Sequence, residues 1–133
     1  MRTIILIIFL TYFNQSFACE CKIYPITSEK SQSELKLEDS FESSTVIFYG
    51  NYIGDGKFEP IKLYRGKRIL SNRKLIEEKE EKYLCDYFFE KNKRYLVFGK
   101  IDENGKLWTS VCVSNFQTDK KPELKFVKKY LKK

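Results

Sequence analysis

The apolar positions of the chain fall into blocks of different period. Ile4 to Leu10 form an unbroken apolar run that continues through Tyr12 and Phe13 and gives way to Asn14-Gln15-Ser16-Phe17-Ala18. With Arg2 ahead of the run and small residues at Ser16 and Ala18, residues 1–18 read as a secretory signal peptide. The run is too short to span a bilayer, which takes roughly 20 apolar residues, and no later stretch approaches that length. The pattern therefore predicts cleavage after Ala18, a mature chain that starts at Cys19 and no transmembrane segment.

Residues 27–40 are polar and rich in Ser, Glu and Lys, with Leu35, Leu37 and then Phe41 as the large apolar groups. They predict a loop followed by a short helix ending near Glu42. From Thr45 to Ile53 the residues are β-branched and aromatic, which predicts a strand stopped by Gly54-Asp55-Gly56, with Asp55-Gly56 as a hairpin turn. The return strand is expected from Lys57 to Tyr64, where Pro60 suits an edge or a bulge, and Arg65-Gly66-Lys67 ends it. Residues 68–82 fit a strand or an exposed excursion equally, because Ile69, Leu70, Leu75 and Ile76 precede the charged run Glu77 to Lys82. Two further strands are expected at Arg94 to Ile101 and Lys106 to Val113, joined by Asp102-Glu103-Asn104-Gly105. Toward the end, Asp119 can cap a helix, Pro122 suits its first turn, and Leu124, Val127 and Leu131 make one apolar stripe. Short strands with a terminal helix predict an all-β fold. The expected form is a five-stranded Greek-key barrel of OB type with flanking helices, a single domain over residues 19–133.

Charge and composition narrow the chemistry. The chain carries 25 basic and 18 acidic residues, a formal +7, which predicts a lysine-rich surface and leaves room for an anionic glycan on a basic face. It has no histidine, so Ser-His and Cys-His catalysis and the commonest zinc ligand are missing. Carboxylates such as Asp86, Glu90 and the Glu77 to Glu81 run read as solvated faces, with no metal or nucleotide motif beside them. The expectation is a protein without enzymatic activity or cofactor. The lysines and aromatics between Tyr87 and Tyr95 read as core packing with a charged rim rather than a nucleic-acid surface.

All four cysteines, Cys19, Cys21, Cys85 and Cys112, fall in the mature part, and an even count in an exported chain predicts two disulfides. Closing Cys19 on Cys21 is sterically poor, which leaves Cys19 with either Cys85 or Cys112 and Cys21 with the other. Acylation of Cys19, as in a lipoprotein, would leave one cysteine unpaired, and the bulky Phe17 before Ala18 matches such a processing site badly.

Several of these pieces occur together in a known pattern. Cys19-Glu20-Cys21 after a signal peptide, the strand Val46-Ile47-Phe48-Tyr49-Gly50, Tyr64-Arg65-Gly66, Cys85-Asp86-Tyr87-Phe88, Tyr95-Leu96-Val97-Phe98-Gly99-Lys100 and Gly105-Lys106-Leu107-Trp108-Thr109-Ser110-Val111-Cys112 follow in order. In this, residues 19 to about 116 resemble the amino-terminal, netrin-like domain of tissue inhibitors of metalloproteinases. The resemblance implies bridges Cys19–Cys85 and Cys21–Cys112 and a secreted, monomeric inhibitor, extracellular or periplasmic. In that family the free α-amine and carbonyl of the first cysteine displace the water from a protease's catalytic zinc, so Cys19 is the implied chelating residue. The amine must be neutral to bind, and an ordinary α-amine titrates at about 7.7–8.0. Glu20, Cys21 and Lys22 beside it, and Tyr83 and Leu84 beside Cys85, are the implied contact residues. The sequence departs from the family at Glu20, where a small or hydroxyl side chain is usual, and lacks the cysteines for the domain's third bridge. A carboxylate entering a specificity pocket must be desolvated, so the implied target has a basic pocket. The same fold also occurs in netrin-like modules that inhibit nothing, and the alternative is a secreted module that binds a protein or glycan through its basic face.

Overall fold

The computed structural model describes residues 19–25, 29–80, 85–120 and 129. Ser31 starts helix α1 (Gln32–Ser43) with a capping box: its Oγ accepts from Glu34 N, and Glu34 Oε2 accepts from Ser31 N at 2.9 Å. The two bonds satisfy amide donors that a helix start otherwise leaves open. The helix ends one residue beyond the expected position. Strands β1 (Val46–Gly54) and β2 (Lys57–Arg65) follow as a hairpin. Its turn has Asp55 at φ 51° and Gly56 at φ 69°. Two successive left-handed residues make the turn whose twist matches antiparallel strands, and an Asp-Gly pair tolerates both. Pairing of β1 with β2 shifts register between Tyr49 and Gly50, opposite Lys62 and Pro60, so the proline sits at a bulge.

The ambiguous stretch resolves into a single helical turn, α2 (Lys67–Leu70), and a two-residue strand, β3 (Ile76–Glu77). Strand β4 (Lys93–Ile101) is close to its expected range. The strand expected at Lys106 to Val113 is shorter: β5 covers only Leu107–Trp108, and a further pair, β6 (Phe116–Gln117), appears where none was expected. Both pair with the same edge of β4, β5 at Lys100 and Ile101 and β6 at Tyr95 and Leu96. Between them the ladder is replaced by side chains. Phe98 N donates to Asn115 Oδ1 at 2.8 Å, Thr109 Oγ1 donates to Phe98 O at 2.6 Å, and Asn115 Nδ2 donates to Thr109 Oγ1 at 2.7 Å. With the Phe98 amide and carbonyl satisfied in this way, residues 109–115 leave the sheet without orphaning buried polar groups.

The strand order is β3-β2-β1-β4-β5, in which β4 returns to lie beside β1, a Greek-key arrangement. The two ends of this path meet at a parallel bridge between Glu78 and Leu107, with Lys79 N donating to Leu107 O at 2.9 Å. The result is a nearly closed, mainly antiparallel barrel with helical elements beside it, the all-β class expected. Val46 and Phe48 of β1 join Tyr95 and Val97 of β4 in one core cluster with Phe58, Leu70, Ile76 and Leu107. The alternate residues Ile47, Tyr49, Leu96 and Phe98 form a second cluster under Phe41 of α1, whose ring meets Phe98 edge-on at 4.8 Å. Both faces of β1 and β4 are therefore covered. The expected helix after Pro122 lies outside the described residues apart from Lys129, which is helical.

Candidate functional site

The described chain begins with a strap, residues 19–25, that belongs to no helix or strand. Two disulfides hold it: Cys19–Cys85 and Cys21–Cys112, with Cα separations of 5.3 and 5.1 Å. Of the two pairings the residues leave open, this is the one the family resemblance implies. The bridges span 66 and 91 positions of sequence, and loops of that size are worth about 4 kcal/mol each in the chain-entropy account. The two anchor segments are themselves joined. Val111 N donates to Cys85 O at 2.9 Å, and Asp86 pairs with Ser110 as an isolated antiparallel bridge. Strap, Cys85 segment and Cys112 segment thus form one ridge.

The exposure of the ridge follows from its construction. Cys19 is partly buried, while Glu20, Cys21 and Lys22 are exposed; Cys85 and Cys112 are partly buried. Tyr83 and Leu84, the other implied contact residues, lie outside the described residues. Ile23 is 92% exposed and Val111 is 38% exposed, so apolar side chains flank the Cys21–Cys112 bridge on both of its segments.

Beyond the bridges, the strap is fixed to α1 by a polar cluster that the sequence does not advertise. Lys22 Nζ donates to Asp39 Oδ1 at 2.8 Å, and the Tyr24 hydroxyl donates to Asp39 Oδ2 at 2.9 Å. Lys22 Nζ also lies 5.2 Å from the centre of the Tyr24 ring. The Lys22 ammonium holds the Asp39 carboxyl below the ordinary carboxylate range, against the opposing effect of burial, and the Tyr24 hydroxyl adds to it. Burial first, and the Asp39 carboxylate second, push Tyr24 up to about 12. Asp39 lies 17 positions from Lys22, so no local pattern links the two.

All four cysteines are in the two bridges, which leaves no thiolate as a ligand or nucleophile. Among the described residues no group of three or more Cys, Asp and Glu is arranged to hold a metal ion. No helix among them is long and apolar enough to cross a membrane. Neither a family model nor a curated protein matches the chain.

Proposed function

We propose that the chain, processed after Ala18 and exported, is an inhibitor of zinc metalloproteases that acts through the α-amine and carbonyl of Cys19. One observation carries the reading. The segment that would start the mature chain is strapped by two disulfides into an exposed ridge, with Glu20, Lys22 and Ile23 presented to solvent. A terminus held in this way loses little conformational freedom on docking, so more of the contact free energy appears as affinity. A protease zinc with three protein ligands keeps one position for water, and an amine with a neighbouring carbonyl can take that position. Ile23 and Val111 supply apolar contact beside the chelating group. Two disulfides suit an oxidising compartment, which agrees with export. Glu20, next to the chelating residue, points to a protease whose specificity pocket carries a cation.

The test compares two forms of the oxidised protein, one starting at Cys19 and one with a single alanine ahead of it. Against a panel of zinc metalloproteases with basic and apolar pockets, the first form should inhibit those with basic pockets. The second should be weaker by at least about 100-fold, because its Cys19 nitrogen is an amide. Equal inhibition by both forms, or none by either across the panel, would sink the proposal.

A further inference from the structure

The turn between β4 and β5 contains Asn104-Gly105, and Asn104 alone among the chain's asparagines is followed by glycine. A residue without a Cβ leaves its backbone nitrogen open to the side chain before it, whereas Asn51, Asn72, Asn92 and Asn115 precede Tyr, Arg, Lys and Phe. Asn104 is exposed and borders an open groove with Arg73, Glu77 and Lys106. The neighbouring amide is held by a single bond, Gly105 N donating to Asp102 O at 2.9 Å. Two cations lie at this turn. Arg73 Nη1 donates to Gly105 O, and a Cβ built at position 105 would stand 2.6 Å from Arg73 Nη2. Lys106, the next residue, is paired with Glu77 of β3. Positive charge here favours both a nitrogen that gives up its proton and a carboxylate that forms beside it.

We propose that Asn104-Gly105 is a modification site, at which Asn104 deamidates without an enzyme to aspartate and isoaspartate. Hydroxide takes the Gly105 amide proton, and the nitrogen forms a bond to Asn104 Cγ. The bond from Cγ to the side-chain nitrogen breaks, ammonia leaves and a cyclic succinimide remains. Water opens that ring at either carbonyl, so the net change is gain of water and loss of ammonia. The position gives the product a consequence for the barrel. Arg73 and the Lys106–Glu77 pair tie this turn to β3 and the segment before it, and Leu107, which closes the barrel on Glu78, follows Lys106. The new carboxylate competes with Glu77 for Lys106. The isoaspartate form also adds a backbone atom between Asp102 and Lys106, which are joined by Asp102 N donating to Lys106 O and Lys106 N donating to Asp102 Oδ1. Deamidation therefore loosens the seam of the barrel, whatever contacts Cys19 makes.

The test follows the disulfide-bonded protein in mildly alkaline buffer by peptide mapping and isoaspartate-specific methylation, with the reduced, denatured chain as reference. Asn104 should convert before any other asparagine. Its rate should lie within about tenfold of the denatured chain's, because one hydrogen bond must open first. Arg73→Gln should slow conversion about threefold in the folded protein and leave the denatured chain unchanged. Asn104→Gln should fold normally and give no product on the same timescale, since its longer side chain closes the ring far more slowly. In the aged protein, amide exchange should quicken at Lys79, whose N–H donates to Leu107 O across the seam. A slower folded-state rate than that limit, a first product at Asn72 or Asn92, undiminished conversion in Arg73→Gln, or unaltered exchange at Lys79 would overturn the assignment.

Discussion

Asp39 meets Lys22 and Tyr24 from 17 and 15 positions away, and its protonation sets a pH dependence. Its carboxyl titrates below the ordinary range in the folded protein, so the ionised form is favoured by folding. A depressed pKa contributes stability that is complete above the unfolded value, near 3.9, and is lost as pH falls through the folded value. Asp39→Asn should therefore lower the urea midpoint at pH 7, by about 1 kcal/mol in stability, and the deficit should vanish on acidification toward pH 2. Tyr24 works in the opposite direction. With its folded pKa near 12 against an unfolded value of 10.0, it lowers stability as pH rises between them. Tyr24→Phe should remove that part of the alkaline loss, seen as a flatter midpoint between pH 10 and about 12. At this scale the sequence was partly legible. The residues of the ridge stand at the cysteines, where export and cysteine count pointed, but Asp39 and Tyr24 have no signature because their roles come from approach across the fold.

The elements show which local signals are sufficient. Ser31 and Glu34 enclose a helix start at the spacing that side-chain and backbone donors need, and the helix begins there. Ser31→Ala should cost about 1 kcal/mol in denaturant unfolding, the usual worth of an N-cap. Asp55-Gly56 and Asn104-Gly105 both mark turns, the second with Gly105 at φ 75° and its N–H donating to Asp102 O at 2.9 Å. Each signal is complete within four residues. The stretch from Lys106 to Val113 misled because its apolar and β-branched residues suit a strand, yet pairing stops after Trp108. Asn115 and Thr109 decide this, by meeting the backbone of Phe98 from several residues away. Likewise, β3 is two residues long and held at the edge of β2 through Phe58 and Ile76, which no period in residues 68–82 reveals.

For the whole molecule, the strap is the part with most to lose from a broken bridge. The double substitution Cys21→Ser and Cys112→Ser should cost 2–5 kcal/mol in guanidinium unfolding, roughly the loss found when small secreted domains lose a disulfide. A smaller change would mean that the Lys22-Asp39-Tyr24 cluster holds the strap by itself. The chain's own order of residues determined the strands β1, β2 and β4, their turns and the end of α1, because each depends on neighbours a few positions away. Only the tertiary structure decided which cysteines pair and where the barrel closes between Glu78 and Leu107. Those outcomes join segments tens of residues apart, and their free energy comes from packing and loop closure across the whole fold, terms that no local window of sequence contains.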